Sequence, residues 1–397
     1  IYTEDGEYFD GFLNTRANPV AIVDLLDKAT LKSRFVGSAY IEIEPIKNLK
    51  LRSDNGGELV FYKVNTYEDG RMGQHYTAGG HANVMSNKKR YWQTENTATY
   101  SFDINKEHQL SAMAGFSASR TDYEEVTADS KKLSSILKYY NLQGAEEHGP
   151  NSSYAVPSSL VSFYGRFNYN FSNRYLATLT MRGDGSSRFA PGHRWGFFPS
   201  ASVGWRISEE NFWKESKLSN IFSDLKIRGS YGMVGDDNVS GYAAFDYMSG
   251  YNYKNGGSVI DGKYTIGSVP RGLPVTTLSW IKAKILDVGF DVAFLDNRLT
   301  GQFDFFRRQR DGLPASRYDV LLPSEVGFSL PKENLNSDVH MGYDAAVRWT
   351  DRVEDFTYSI GGNITYSRFY DWEQYKPRFS NSWDVYRNSL NHRFGYL

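Results

Sequence analysis

The most constraining feature of this chain is a repeated alternation of apolar and polar residues with a period of two. In residues 356–366, the even-numbered positions are apolar, aromatic or glycine, and the odd-numbered positions are small or polar. Residues 163–171 and 98–104 alternate in the same way. Because successive side chains of a β-strand point to opposite faces, this pattern predicts strands with one apolar and one polar face.

The pattern recurs often enough to predict an almost entirely β-stranded chain. No run of 18 apolar residues occurs, so no transmembrane helix is predicted. Twelve strands are expected, with end points defined to about two to four residues. They cover residues 36–44, 49–58, 90–104, 109–119, 160–170, 175–184, 195–207, 224–234, 281–294, 299–310, 339–350 and 355–367.

The links between these strands alternate in length. Short links rich in Asn, Asp and Pro occupy residues 45–48, 105–108, 172–174, 295–298 and 351–354. Long links occupy roughly residues 59–89, 120–159, 235–280 and 311–338, with 184–194 as a shorter link on the same side. A longer link on the short side, 208–223, should hold a helical turn near residues 209–214. Tight periplasmic turns opposite large extracellular loops are typical of an antiparallel transmembrane β-barrel.

The two ends of the chain do not resemble barrel termini. Residues 1–35 are expected to form an extracellular loop segment with a short helix over 19–28, because Pro19 suits a first helical turn. Residues 36–367 are expected to form the barrel strands and loops, and residues 368–397 a second extracellular loop segment. Counting turns outward places both ends on the long-loop side, so the chain is expected to be truncated at both ends.

Aromatic residues are frequent, with 8 Trp, 29 Tyr and 25 Phe making up 16% of the chain. Tyr and Trp suit a membrane–water interface, because one end of each side chain is apolar and the other is polar. The mean hydropathy of -0.54 fits a barrel in which every second residue faces a polar lumen. Aromatics near strand ends are therefore expected in interfacial girdles, with stacking on a ligand as the alternative: Tyr91, Trp92, Trp195, Trp205, Trp280 and Trp349.

Charge and motif content exclude several classes of function. The formal net charge of -1 argues against nucleic acid as a partner, because phosphate binding needs a basic excess. The absence of cysteine excludes disulfides, thiolate metal sites and a cysteine nucleophile. No metalloprotease, serine-hydrolase or P-loop motif is present, so no enzymatic activity is predicted.

Residues 173–212, NRYLATLTMRGDGSSRFAPGHRWGFFPSASVGWRISEENF, carry the most recognisable motif. They closely resemble a barrel segment of the SusC/RagA-like group of TonB-dependent transporters. In that group a strand ends in RxDGSSRF, and the next strand reads RWGxFPSxSxGWRISEE. The matching family-motif residues, to which a structural role is assigned, include Arg182, Asp184, Gly185, Ser186, Ser187, Arg188, Phe189, Arg194, Trp195, Gly196, Pro199, Gly204, Trp205 and Arg206.

Other segments resemble the same group in the expected order, so the resemblance covers residues 36–390 and is weakest in the long links. They are residues 223–235, the hairpin at 295–306, the hairpin segments 96–100 and 108–116, and residues 383–388. Two positions depart from the group: Asp236 follows Gly235 where Asn is usual, and Trp280 is followed by Ile-Lys-Ala-Lys without the usual acidic neighbour.

The resemblance implies more than this chain could do alone. Members of the group carry an N-terminal extension, a TonB-box peptide, a plug domain and a barrel of about 22 strands. A SusD-like surface lipoprotein closes the extracellular mouth, and the TonB complex supplies energy from the periplasm. The chain is therefore expected in the bacterial outer membrane, where it would form part of the wall through which a glycan or peptide passes.

Two basic clusters border the long-link side of predicted strands. They consist of Lys88, Lys89 and Arg90, and of Arg307, Arg308 and Arg310. In a barrel both would lie near the outer rim, where Arg suits the phosphates of lipopolysaccharide. Ordinary solvated rim charge is the alternative.

No metal or cofactor site is predicted. His75 and His81 share a long link and could meet a metal, but solvated loop histidines are the expected outcome. Residues 236–238, Asp-Asp-Asn, offer oxygen ligands for Ca²⁺ but lack the spacing of a defined calcium loop, so a polar turn is expected.

The leading functional hypothesis is therefore TonB-dependent import of glycans or peptides together with a SusD-like lipoprotein. The alternative is a surface or soluble β-rich module that binds carbohydrate or peptide without transport. A glycan hydrolase would need two carboxylates facing one another across a cleft, and no such constellation is recognisable in the sequence.

Overall fold

The protein is described by a computed structural model that covers residues 18–71, 79–149, 151–239, 245–317 and 322–373, together with residues 2, 4, 6, 8, 320 and 375. Its two α-helices are short, α1 (Pro19–Leu25) and α2 (Asn211–Lys214). The strands are β1 (Leu26–Ile46), β2 (Leu49–Glu68), β3 (Gly80–Asp103), β4 (His108–Leu133), β5 (Glu147–His148), β6 (Ser152–Phe171), β7 (Tyr175–Ser186), β8 (Trp195–Arg206), β9 (Phe222–Asp236), β10 (Tyr251–Ile260), β11 (Lys263–Pro270), β12 (Ile281–Phe294), β13 (Leu299–Ala315), β14 (Glu333–Val353) and β15 (Phe356–Glu373).

One large sheet contains most of these strands. Its order is β1-β2-β3-β4-β6-β7-β8-β9-β12-β13-β14-β15, so twelve strands follow one another in sequence and β1 and β15 form the two edges. The short strand β5 pairs with β4, and β10 pairs with β11 as a separate hairpin. The twelve strands predicted from the alternation are thereby confirmed, and among the described residues β1 and β15 are not paired with each other.

The strands extend further toward the long links than the sequence pattern predicted. β1 begins at Leu26 rather than near residue 36, and β4 ends at Leu133 rather than near residue 119. The extended ends carry polar residues on both faces, so the alternation that marks a half-buried strand fades there. The hairpin β10–β11 was likewise not predicted, because it lies within the long link 235–280.

Tight turns join consecutive strands on one side of the sheet. Several of their residues adopt the left-handed conformation, among them Asn48, Asn173, Asp296 and Asn297. Asn and Asp tolerate a positive φ better than most residues, which explains why they mark these turns. The longer link between β8 and β9 contains α2, which confirms the helical turn predicted near residues 209–214.

Helix α1 agrees with the prediction for the first residues of the chain. The Asn18 side chain accepts a hydrogen bond from the backbone N–H of Val20, and Pro19 occupies the first turn. The helix ends at Leu25, three residues before the predicted end, because β1 begins at Leu26. Among the described residues, neither helix is long and apolar enough to cross a membrane.

The chain divides into two compact units. The first comprises residues 1–40, 54–94 and 119–159, and its larger buried cluster is formed by Tyr67, Ala82, Leu133 and Tyr139. The second comprises residues 41–53, 95–118 and 160–397. Its largest buried cluster lies at the long-link ends of β8, β9 and β12 and is formed by Phe189, Phe198, Val239, Leu278, Trp280 and Ile281.

The sheet of the second unit has two chemically different faces. The register pairs Phe167 with Leu179 and Leu179 with Ala201 on one face, which we call the apolar face. Asn168 pairs with Thr178 and Thr178 with Ser202 on the other, which we call the polar face. The large side chains of the apolar face are strongly exposed, including Phe163, Met181, Val203, Tyr231, Val288, Phe290, Phe305, Val347, Ile360 and Ile364.

Candidate functional site

The polar face of the second unit forms a groove with a volume of about 580 Å³. Strands β3, β4, β6, β7, β8, β9 and β12 contribute to its wall. Asn168 joins neighbouring strands, because its Nδ2 donates to Ser111 Oγ at 3.1 Å and its Oδ1 accepts from Thr178 Oγ1 at 3.0 Å. Further polar groups lining the groove are Ser101, Gln109, Asn170, Ser202, Lys226 and Asp287.

Arg228 is the centre of a charged cluster at one end of this groove. Its guanidinium contacts Asp304 at 2.6 Å, Asp291 at 3.1 Å and Asp287 at 3.8 Å, and Lys226 lies 3.8 Å from Asp291. Three carboxylates therefore surround two cations on three neighbouring strands. The sequence pattern did not identify this cluster, because its members are up to 78 residues apart and meet only through the register of β9, β12 and β13.

The family-motif residues at the end of β7 form a compact polar network. Arg182 Nε donates to both carboxylate oxygens of Asp184, at 2.7 and 3.0 Å, and Arg182 Nη2 donates to Ser162 Oγ at 2.9 Å. Asp184 and Ser162 are buried. The Arg182 guanidinium also lies over the Tyr164 ring, 5.2 Å from its centre. The network joins β6 to β7 and leaves the buried carboxylate fully paired.

The rest of the motif ties the link between β7 and β8 to the long link after β9. Ser186 Oγ donates to Asp237 at 2.6 Å, and Arg188 Nη1 donates to Asn238 at 3.1 Å. Asp237 thus accepts a hydrogen bond from Ser186 and lies near Arg188. Among the described residues, no group of three or more His, Asp or Glu side chains is arranged to hold a metal ion.

Trp280 belongs to the same interlocked region. Its Nε1 donates to the Arg194 carbonyl at 2.9 Å, and its ring packs against Phe189 and Phe198. The side chain is only 6% exposed. The expectation that Trp280 belongs to an interfacial girdle is therefore wrong, because a link between strands folds over it. Trp92, Trp195 and Trp205 are exposed, as a girdle residue must be.

The remaining motif residues lie where close strand packing requires them. Phe189 belongs to the buried cluster, and Arg194 Nε donates to the Phe189 carbonyl at 3.1 Å. Gly185 pairs with Trp195, Gly196 with Asp184, and Gly204 with Leu176. Pro199 pairs with Met181 in the same ladder, and Ser187 lies in the turn that follows β7.

The short-turn end of β8 is anchored by a carboxylate that the sequence analysis did not single out. Glu210 accepts hydrogen bonds from Tyr175 at 2.6 Å and from Trp205 at 3.1 Å, and Arg174 lies 3.4 Å away. The hydrogen bond from Tyr175 is the main reason that the pKa of Glu210 is lowered. Beside Glu210, Arg206 forms an ion pair with Asp224 at 3.4 Å. Ion pairs therefore fix the last residues of the motif to the neighbouring strands β7 and β9.

The first basic cluster is divided between the two faces of β3, as strand alternation requires. Lys89 contacts Glu58 at 3.3 Å, while Arg90 on the opposite side contacts Glu124 at 2.8 Å. Lys88 lies over the Phe61 ring at 5.9 Å. The three residues therefore do not form one cationic patch.

The second basic cluster is divided in the same way. Arg307 lies on the apolar face, where it pairs with Leu286 and Met341. Arg308 and Arg310 pair with Ile285 and Ala283, so they lie on the polar face. Arg310 there forms an ion pair with the buried carboxylate of Asp338.

Of the two histidines considered for a metal, His81 lies within the described residues and His75 lies outside them. His81 Nε2 is 2.7 Å from an Asp129 carboxylate oxygen, and Nδ1 is 3.7 Å from Glu68. The sequence predicted a solvated histidine here, whereas the His81 side chain is paired with carboxylates.

Comparison with known proteins assigns this arrangement to a family. Residues 30–394 match the family model described as TonB dependent receptor-like, beta-barrel. The chain is 26% identical over 373 residues to TonB-dependent receptor P26 of Formosa agariphila, covering 90% of this chain and 36% of that protein. It is 36% identical over 218 residues to TonB-dependent receptor SusC of Bacteroides thetaiotaomicron, covering 54% of this chain and 21% of that protein.

Solved structures show the same fold. The RagAB peptide transporter superposes with a TM-score of 0.73 at 22% identity, covering 91% of this chain and 39% of that one. The chain thus spans between about a fifth and two fifths of the length of these relatives. The same family accounts for the two chemically different faces of the sheet and for the short turns on one side. The chain therefore belongs to the TonB-dependent receptor family of outer-membrane β-barrels, and to its SusC/RagA-like group.

Proposed function

We propose that the intact protein imports glycan or peptide fragments across the outer membrane and that this chain supplies part of the wall along which they pass. The polar groove is the observation that carries the proposal. It offers hydrogen-bond donors and acceptors from Gln109, Asn168, Thr178 and Ser202 beside the charged cluster around Arg228. Sugar hydroxyls and peptide amides both exchange hydrogen bonds with such groups.

The distribution of these groups suits passage better than retention. A single hydrogen bond contributes about 1 kcal/mol net, so a ligand that meets a few at a time is held weakly. Transport requires binding that is favourable enough for entry and weak enough for release. A wall with many small polar side chains supports this behaviour.

A SusD-like surface lipoprotein is the proposed partner at the extracellular end, with the TonB complex supplying energy. The similarity to SusC and to the RagAB peptide transporter supports this proposal. The long links of this chain would contact the lipoprotein, and all residues of the hairpin β10–β11 whose burial is described are exposed.

Uptake by intact cells tests the transport proposal. A strain carrying the gene and a matched deletion strain are given fluorescent oligosaccharides or fluorescent peptides, with and without functional TonB. Transport predicts uptake of one of the two classes that requires both the gene and TonB. Surface binding that persists without TonB, with no accumulation inside the cell, would instead support the alternative of a binding module.

Two variants on neighbouring residues of β8 test the path. Ser202 lies on the polar face and Ala201 on the apolar face. Ser202→Trp would fill the groove and is expected to lower uptake, while Ala201→Trp would face lipid and leave uptake unchanged. Equal uptake by both variants, at equal amounts in the outer membrane, would contradict the assignment of the groove as the path.

A further inference from the structure

The apolar face of β12–β15 can be divided into cross-strand rows by the register of the sheet. The row nearest the short turns that crosses all four strands contains Phe294, Leu299, Trp349 and Ile360. The next three rows are apolar or glycine throughout and contain Val292, Gly301, Val347 and Gly362, then Phe290, Phe303, Ala345 and Ile364, then Val288, Phe305, Tyr343 and Tyr366. Four rows without a charge thus form a continuous apolar band.

An aromatic ladder crosses the upper part of this band. Phe290 stacks on Phe303 at 5.6 Å, Phe303 on Tyr343 at 6.1 Å, and Tyr343 on Tyr366 at 5.4 Å. The ladder ends in two tyrosines, whose hydroxyl groups suit the membrane–water interface.

The first cations appear in the row above the tyrosines. This row consists of Leu286, Arg307, Met341 and Arg368. It contains two arginines and no carboxylate. Lys284 lies in the next row, and its partner Asp311, 2.8 Å away, lies one row higher still.

The height of Arg307 matches the edge of a bilayer. Nine residues lead from Leu299 at the short turn to Arg307. At about 3.3 Å per residue and a tilt of roughly 40°, nine residues climb about 20–23 Å. The apolar band of an outer-membrane barrel is about 25 Å tall, so Arg307 lies where β13 leaves the hydrocarbon on the extracellular side.

We propose that Arg307 and Arg368 bind the phosphate groups of lipid A, the phosphorylated glycolipid anchor of lipopolysaccharide. The planar guanidinium of arginine donates two parallel hydrogen bonds to a phosphate. Arg307 uses Nη1 for Gln309 Oε1 at 3.1 Å, which orients the side chain along the apolar face. Lipid A acyl chains would then lie against the aromatic ladder directly below.

The proposed site includes Arg307 but not its sequence neighbours Arg308 and Arg310. Arg308 and Arg310 face the polar side, so they do not contribute. In the other predicted cluster, Arg90 is paired with Glu124, and Lys88 lies over the Phe61 ring. On the neighbouring strand β4, Arg120 is likewise paired with Asp122 at 2.9 Å. The site is therefore placed on β13 and β15 rather than on β3.

Retained lipopolysaccharide provides the test. The intact protein is purified from outer membranes, and bound lipopolysaccharide per protein is measured by native mass spectrometry. The double variant Arg307→Gln, Arg368→Gln is expected to lower the affinity for lipid A about fivefold for each arginine removed. The double variant Arg90→Gln, Arg120→Gln removes the same charge from β3 and β4 and is expected to retain wild-type amounts.

Two further measurements make the result decisive. Binding to nanodiscs that contain lipid A is compared with binding to nanodiscs that contain dephosphorylated lipid A. Wild type should bind the phosphorylated lipid more tightly than the Arg307/Arg368 variant does, and the two proteins should bind the dephosphorylated lipid equally. Heat-dependent gel mobility confirms that each variant is folded. Unchanged lipopolysaccharide retention in the folded Arg307/Arg368 variant, or equal binding of both lipids, would overturn the proposal, whatever the result for transport.

Discussion

Asp184 is a family-motif residue whose contacts are all with other residues of the sheet that the structure describes. Its carboxylate is buried, and Arg182 satisfies both of its oxygens while also reaching Ser162 on the neighbouring strand. A buried guanidinium or carboxylate that loses its partner retains its desolvation cost. We therefore propose that this part of the motif holds β6 and β7 together rather than contacting a ligand.

We expect Asp184→Ala to destabilise the protein by about 1–3 kcal/mol, because Arg182 loses the charged acceptor that orients its guanidinium toward Ser162. Urea unfolding in detergent micelles measures the change. Asp122→Ala is a matched control, since Arg120 and Asp122 also stand two residues apart on one strand, but the Asp122 side chain is 24% exposed against 10% for Asp184. The control should show no measurable change, and equal effects of the two variants would contradict the assigned role.

Gly235 occupies a position where the structure has no room for a side chain. A Cβ at this residue would lie 2.1 Å from Phe198 Cζ, in the cluster that also holds Trp280. We expect Gly235→Ala to cost about 1–3 kcal/mol through overpacking, measured by urea unfolding. Gly37→Ala, which meets nothing within 4 Å, should be neutral.

A second substitution separates overpacking from a backbone effect at Gly235. Phe198→Leu shortens the side chain that the new methyl group would meet. In the Gly235→Ala background it should recover part of the lost stability. If it adds its own full cost instead, the clash with Phe198 is not the cause.

At the scale of elements, the link that contains α2 is held to the strands by Glu210. Because its pKa is lowered in the folded protein, the stabilisation that it provides is present above its ordinary pKa of 4.5 and is lost as the pH falls through the lower, folded value. Protonation weakens its attraction for Arg174 and its acceptance from Tyr175 and Trp205.

Hydrogen exchange measured by mass spectrometry tests this pH dependence. In Glu210→Gln, amides of residues 207–221 should exchange faster than in wild type at pH 7, and the difference should shrink as the pH falls below 4.5. Glu209→Gln, which loses only an exposed pair with Lys214, should match wild type throughout. A difference for Glu210→Gln that stays constant down to pH 3 would show that charge is not responsible.

The strands also show what sequence patterns can predict about an element. The starts of β2, β7, β8 and β12 agree with prediction to the residue, because turn formers or a sharp onset of alternation mark them. Most other long-link ends were predicted too short, most clearly in β4. Outside the bilayer both faces of a strand meet water, so no periodic signal distinguishes strand from loop.

At the scale of the whole molecule, the two faces of the sheet are suited to different surroundings, one to lipid and the other to water. Leu179 is the fifth residue of β7 and lies on the apolar face, while Thr178 beside it lies on the polar groove. An outer-membrane barrel exposes the first to hydrocarbon and the second to an aqueous lumen. Adjacent residues thus experience different environments because a strand alternates.

We expect Leu179→Arg to destabilise the protein by about 2–4 kcal/mol, the cost of arginine near the bilayer midplane. Thr178→Arg should be tolerated, because the groove contains water and carboxylates. Folded yield in lipid bilayers, scored by heat-dependent gel mobility, measures both. A larger loss for Thr178→Arg than for Leu179→Arg would reverse the assignment of the faces.

The sequence by itself determined the all-β class, the twelve-strand count, the short turns and the family, because alternation, turn residues and motifs are properties of neighbouring residues. The tertiary structure alone decided which residues meet across strands. It brought Arg228 to three carboxylates, buried Trp280 beneath a long link and sent Arg307 to the opposite face from Arg308 and Arg310. These outcomes depend on strand register and on packing between residues far apart in the chain, which local patterns do not specify.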